Sequence, residues 1–434
     1  MNQFAALLIF LSFTSQANAS LWNQYGYGAR NIALGNSTAS LPTDAFSQAY
    51  NPALMAFQTK PLFSMGLQGA VHRFEPIKQV LVDRTDLGGA SNQVSDVSTN
   101  VPDVFSLTLG LQSPLSKSER PFHLGATLSA PVQNLMLVDT QDAYLPQYVM
   151  YLSDSQRLTS GFSLATKFSD RFALGVGVNA YLVQGTSART RLIAGGNSSA
   201  RIKMEITPGL APTAGMIFIP GENPKENPWK FGLSYLAKQE SRSKVDFTNT
   251  ISLLAPADLI MTGKNTLYYD PETFILAVSR KDESDSISFS ANWEKWGGYE
   301  GTAMVLQFTT FTGSFRQVLP PMKYNDIITL HSGYEHRFEN FDLRLGYAFL
   351  PTPVPDQSGE NNALDTDKHQ GFLGAGKSFD VGFLDNPLQL DLCGFAHYLV
   401  PKDVRKTVST FIGAPGYKIG GMIYGYALTA TAEF

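Results

Sequence analysis

The chain is 434 residues long, 43% apolar, 12% aromatic and only 16% charged, and its formal net charge of -4 leaves no basic surface for nucleic acid. Soluble proteins usually carry about a quarter of their residues as Asp, Glu, Lys or Arg, so this chain is short of charge for one dissolved in water. Its single cysteine, Cys393, excludes an internal disulfide, and no Cys/His cluster has metal-ligand spacing, so neither a metal nor another cofactor is expected.

The chain begins with a Leu- and Phe-rich stretch, Phe4 to Phe13, followed by Ala17-Asn18-Ala19, the small residues a signal peptidase needs. Residues 1–19 therefore read as a secretory signal, with the mature chain starting at Ser20. The stretch is too short for a bilayer core of about 30 Å, which takes roughly 20 apolar residues. No later stretch is long enough either. An exported chain of this kind is either soluble or a membrane β-barrel.

Residues 20–60 show no strand alternation. They carry Leu34, Leu41, Phe46, Tyr50, Leu54 and Met55 among small residues, with a helix start readable at Thr43-Asp44. A segment this apolar gains by leaving water, and the lumen of a large barrel has room for it.

Residues 61–434 alternate with period two, which puts successive side chains on opposite faces of a strand. Tyr424, Tyr426, Leu428, Ala430, Ala432 and Phe434 share one face of the last strand, while Gly425, Ala427, Thr429, Thr431 and Glu433 share the other. Fourteen such strands are expected, near 62–74, 101–112, 121–133, 156–168, 171–186, 200–219, 228–249, 264–280, 285–296, 325–338, 341–350, 369–379, 387–399 and 420–434. A soluble sandwich would place Lys, Glu and Arg on its polar face. Here that face is mostly Gly, Ser, Thr and Asn, and aromatics end the apolar face, as in a barrel with a polar lumen and aromatic girdles. Brief connections such as Ser169-Asp170 and Glu339-Asn340 alternate with long ones at 75–100, 134–155, 297–324 and 351–368, which suits short periplasmic turns and long external loops. The expectation is an all-β fold: a 14-stranded antiparallel transmembrane β-barrel in the outer membrane of a Gram-negative bacterium, its N-terminal segment in the lumen.

Two stretches resemble the FadL family of outer-membrane transporters for hydrophobic compounds. Gly26 to Met55, ending in Tyr50-Asn51-Pro52-Ala53-Leu54, is similar to that family's N-terminal hatch, which closes on an Asn-Pro-Ala motif just before the first strand. Tyr334-Glu335-His336-Arg337-Phe338, Leu343 to Phe349, Thr352-Pro353-Val354-Pro355-Asp356 and Asp365 to His369 resemble its eleventh strand and the loop after it. The resemblance implies a barrel blocked by a hatch at 20–60, passive uptake down the ligand's own gradient, and release sideways through the wall. The ligand it implies is a fatty acid or an aromatic hydrocarbon.

Candidate residues follow. Asn51, Pro52 and Ala53 form either the working end of the hatch or an ordinary Asn-Pro turn. Pro131, which cannot donate a ladder hydrogen bond, either ends its strand or, helped by Gly125, opens the lateral gap. Lys323 and Arg344 could meet a ligand carboxylate through a charge-assisted bond, although Asp342 stands two residues from Arg344. Phe308, Phe311 and Phe315 lie in the apolar 297–324 loop, which looks like a collecting surface for ligand. His331 should face the lumen and His336 the lipid, with His123 and His397 on distant strands, so no catalytic grouping is expected and the chain reads as no enzyme. Outer-membrane lipid and lipopolysaccharide are the expected surroundings of a monomer. The alternatives are a polar-solute porin, disfavoured by an uncharged lumen face and an apolar N-terminal segment, and a structural or adhesive barrel.

Overall fold

The computed structural model describes residues 20–83, 92–132, 144–151, 157–193, 199–221, 223–224, 226–252, 256–299, 303–310, 313–319, 322–382 and 384–434. The expected signal, residues 1–19, and Phe311 lie outside them.

Past residue 60 the chain is nearly all strand. In order these are β1 (Leu62–Phe74), β2 (Ile77–Asp83), β3 (Gln93–Val97), β4 (Val104–Pro114), β5 (His123–Pro131), β6 (Thr159–Lys167), β7 (Phe172–Ile193), β8 (Ser199–Phe218), β9 (Trp229–Leu236) and β10 (Gln239–Ser252). There follow β11 (Pro256–Asp270), β12 (Glu272–Lys281), β13 (Asp285–Lys295), β14 (Ala303–Thr310), β15 (Gly313–Leu319), β16 (Ile327–Arg337), β17 (Asp342–Leu350), β18 (Lys368–Phe379), β19 (Leu388–Arg405) and β20 (Gly416–Glu433). Fourteen of them, β1, β4 to β9, β12, β13 and β16 to β20, pair antiparallel in a ring that closes where β1 meets β20, from Leu62 opposite Glu433 to Phe74 opposite Gly421. Closure leaves no barrel edge with unpaired backbone, which is what allows strands to stand in lipid.

Each of the fourteen expected strands has its counterpart in this ring. Alternation set the faces: Met65, Leu111, Phe162, Leu345 and Tyr426 point outward and are exposed, while Ser64, Ser106, Thr108, Arg344 and Thr429 point inward and are buried. His331 faces the lumen, bonded to the Gly35 carbonyl, and His336 is on the outer face beside Asp285.

The structure corrects three readings. The 228–249 stretch is two strands: β9 ends at Leu236, and β10 leaves the ring to pair with β11, which pairs on with β14 and β15, while the end of β10 touches β7 in parallel at Ile251 and Ser252. Likewise β11 and β12 are separated at Pro271, which has no N–H for the ladder. The 297–324 stretch is therefore not an irregular loop, because its apolar alternation makes the β14–β15 hairpin, in which Phe308 stands opposite Phe315.

The long connections pack into a cap. Tyr148 Oη donates to the Gly420 carbonyl at 2.9 Å, and the β2–β3 hairpin joins 411–415 through Leu81 N to Ala414 O at 2.9 Å. Lys406 Nζ donates to three carbonyls of the 351–367 loop, those of Gln357, Gly359 and Asn361, at 2.7, 2.8 and 2.8 Å.

Candidate functional site: the filled lumen

Residues 20–58 are short of period-two alternation and rich in small residues, so they make short helices rather than a strand: Leu21–Tyr25, Ala29–Ala33, Ser47–Tyr50 and the 3-10 segment Pro52–Phe57. Gly26 and Gly28, at φ of +80° and +78°, turn the chain between the first two helices, where a Cβ would be strained. Nearly the whole segment is buried, and its partners are the inward faces of the barrel strands.

Asn51 seats the Asn-Pro-Ala motif. Its Oδ1 accepts from Ala53 N at 3.0 Å, capping the 3-10 turn, and its Nδ2 donates to Ala39 O at 2.9 Å and to Met216 O and Leu233 O at 3.3 Å each. Met216 and Leu233 are paired residues of β8 and β9, so the amide sits over the seam between those strands. Gln48 does the same elsewhere, donating to Leu111 O of β4 and Ala126 O of β5 at 2.9 and 3.1 Å. The wall admits the motif by lacking side chains: a Cβ on Gly175 would lie 2.4 Å from Ala53 N, and one on Gly215 2.0 Å from Asn51 Oδ1.

The second helix is held by charge. Arg30 forks onto Glu335 of β16, Nε to Oε2 at 2.9 Å and Nη2 to Oε1 at 2.7 Å. Arg344 of β17, fully buried, donates to Glu335 at 2.6 Å, Asp391 at 2.7 Å and Asp342 at 2.9 Å. Next to this network Asn31 Nδ2 and Phe46 N both donate to Asp44 Oδ1, while Asp44 Oδ2 is buried without a partner. Burial pushes the Asp44 carboxyl up to about 6 against the pull of the Phe46 amide.

Above these contacts three crevices surround the Leu21–Tyr25 helix. One, with a cavity volume of about 40 Å³, runs along Trp22, Tyr27, Thr127, Gly161, Asn179 and Asp270. A second, also of about 40 Å³, reaches Met150, Glu294, Lys368 and His397. The third, again of about 40 Å³, touches Trp22, Tyr50, Asn292 and His331. Tyr25 stacks on Phe395 and His397 at centroid distances of 5.8 Å and bonds to His72 Nε2 at 2.8 Å, so the walls mix aromatic faces with polar edges.

Several of the residues expected from sequence sit elsewhere than expected. Asn51, Pro52 and Ala53 are at the segment–wall contact just described. Arg344 is saturated by three carboxylates, which corrects its assignment as a partner for a ligand carboxylate. Gly125 opens no gap: β5 is paired through it to Gln112 on one side and Ser163 on the other, and a Cβ there would strike Gln48 and Met55, so its role is to admit the lumen segment. Pro131 is the last residue of β5; it pairs with Ser106 of β4, whereas the β5–β6 ladder stops at Ser129 opposite Thr159. Lys323 is exposed beyond the rim. Phe308 and Phe315 are described by their backbones alone. Sequence reasoning missed Arg30, Glu335, Asp391, Gln48, Gly175 and Gly215, although the parity of β16 and β19 already places Glu335 and Asp391 on the inner face.

Comparison with known proteins places this architecture. The family model for outer membrane protein transport proteins, OMPP1/FadL/TodX, matches residues 8–434. The chain belongs to that family. It is thus an outer-membrane β-barrel of a Gram-negative bacterium, from a family that transports hydrophobic compounds. Among solved structures, a FadL homologue of Pseudomonas aeruginosa shares 15% identity and superposes with a TM-score of 0.58 over 97% of this chain and 99% of that one. The Pseudomonas putida toluene transporter TodX gives 15%, 0.55, 94% and 99%, and the Ralstonia pickettii toluene transporter TbuX 14%, 0.54, 95% and 100%. At such identities these likenesses concern the fold alone. No curated protein matches the sequence.

Proposed function

We propose that this family member is a passive channel, not an enzyme, for hydrophobic molecules that enter from the long-loop rim, occupy the crevices around Trp22 and Tyr25, and leave through the wall. Residues 20–60 act as its hatch. The observation that carries this reading is the filled lumen: among the described residues, a segment bonded at two strand seams and by a buried ion pair leaves small crevices around Trp22 and Tyr25, which suits an apolar solute better than a porin. Exit is supported beside the first crevice, where Thr127, Thr159, Ser160 and Gly161 line the wall and the β5–β6 ladder ends two residues before Pro131.

Long-chain fatty acids are the first ligand class, with Lys323 as a carboxylate contact at the rim and Phe308 and Phe315 as part of an outer collecting surface. Aromatic hydrocarbons are the second, favoured by the small size of the crevices. Uptake of labelled oleate and of labelled toluene, in cells with and without the protein, tests both. A difference for neither, together with a difference for a small sugar, would overturn the assignment.

A further inference from the structure

Ser20 is the residue that a cut after Ala19 would leave first in the mature chain, and every polar atom of its backbone and side chain is engaged. Its carbonyl accepts from Gln24 N at 3.0 Å, its Oγ accepts from Asn23 N at 3.3 Å, and its own nitrogen donates to Asp270 Oδ1 at 2.6 Å. Ser20 and Asp270 are 3% and 4% exposed. The other oxygen of Asp270 takes Arg157 Nη2 at 2.7 Å, and the Arg157 guanidinium lies 3.8 Å over the Tyr268 ring, a fully buried arrangement. Gln239 lines the same crevice as Ser20 and Asp270, and its Oε1 is buried without a partner.

We propose that Asp270 is a binding site for an α-ammonium group, that of Ser20, so that removal of the leader completes the docking of the hatch. Hydrolysis of the Ala19–Ser20 bond adds one water, leaving a carboxylate on Ala19 and an amine on Ser20 that takes up a proton at neutral pH, its ordinary pKa being about 8. A peptide nitrogen at that place offers one hydrogen, which Asp270 Oδ1 already accepts. An ammonium offers three, and a buried acceptor without a partner, Gln239 Oε1, belongs to a residue lining the same crevice. The exchange also turns a neutral hydrogen bond to a buried carboxylate into an ion pair, the stronger form of the contact. Unprocessed chain therefore has only the single neutral hydrogen bond, not the ion pair, at the first turn of the lumen segment. The inference concerns assembly of the hatch and is independent of which ligand the channel carries.

The test is amine labelling of the purified, heat-modifiable barrel in detergent, by reductive methylation at pH 7, read on the N-terminal peptide by mass spectrometry. Ser20 should be the first residue, and its α-amine should be protected in the folded protein and reactive once denatured. Asp270→Asn should raise its labelling rate about tenfold or more, the factor equivalent to ~1.4 kcal/mol. A glycine inserted between Ala19 and Ser20 shifts the ammonium by up to about 3.6 Å and should expose it equally without touching Asp270, which keeps the test valid if Asp270→Asn fails to fold. A different first residue, free labelling of the folded protein, or protection that persists in the extended chain would each overturn the proposal. Uptake measurements report separately on the channel reading.

Discussion

Replacing Glu335 by Gln should loosen the lumen segment at one identifiable point. Among the described residues Glu335 is the only carboxylate bonded to Arg30, through two bonds of 2.9 and 2.7 Å, while Arg344 retains Asp391 and Asp342 when Glu335 is lost. The side chains of Arg30 and Glu335 are 13% and 3% exposed, so little solvent replaces the lost partner. Removing one member of a buried pair typically costs about 3–5 kcal/mol. At 1.36 kcal/mol per decade that is a roughly 150- to 5,000-fold shift against the docked Ala29–Ala33 helix. In planar bilayers the variant should show frequent transient openings where the parent is quiet, and its barrel should lose a fraction of its thermal stability. The double variant Arg30→Met with Glu335→Met removes both charges and should recover most of the quiet state, since apolar replacement of a buried pair is often neutral. A quiet Glu335→Gln channel with an unchanged thermal transition would refute the view that this pair holds the segment.

Gly215→Ala puts a methyl 2.0 Å from Asn51 Oδ1 and should cost about 1–3 kcal/mol of seating, seen as raised conductance, whereas Gly371→Ala, with open space around it, should be silent. Asp44 holds its proton more tightly folded, at about 6, than unfolded, near 3.9. Its favourable contribution is complete below pH ~4 and disappears as pH rises through 6, a swing of about 3 kcal/mol; Asp44→Asn should therefore flatten the pH dependence of thermal unfolding in that window and stabilise the protein at pH 7. Lys406→Met leaves the carbonyls of Gln357, Gly359 and Asn361 without their donor, and hydrogen exchange in 357–363 should quicken by the equivalent of about 1–3 kcal/mol.

The barrel was legible because one physical rule, period two between lipid and lumen, acts on every strand; β1 runs over the residues alternation picked out, 62–74. The same rule misled wherever it continued above the membrane: β9 and β10, or β14 and β15, alternate whether or not lipid faces them. The site was legible only as a place. Asn-Pro-Ala stood out by its chemistry, but its seat is made of glycines on β7 and β8, and a glycine in a strand gives no sign of what approaches it. Arg344 looked like a lone cation because two of its three carboxylates, Glu335 and Asp391, are 9 and 47 positions away and meet it only through the ladder.

The seam between β1 and β20 sets the order of assembly. Thirteen residue pairs there join the start of the barrel to its final strand, and Ala29 N reaches Thr429 Oγ1 across 400 positions. Contacts of such separation form late. A chain emerging N-terminus first thus carries its lumen segment without a lumen until nearly every residue has been exported, and the apolar side chains of that segment must be kept from water or from other chains meanwhile. The seam is then a one-way door: once β20 zips onto β1, the segment is enclosed by the wall it preceded, tethered to β1 at the short-turn end. A variant that closes slowly would be lost to periplasmic proteolysis of its N-terminus before any defect in transport could show.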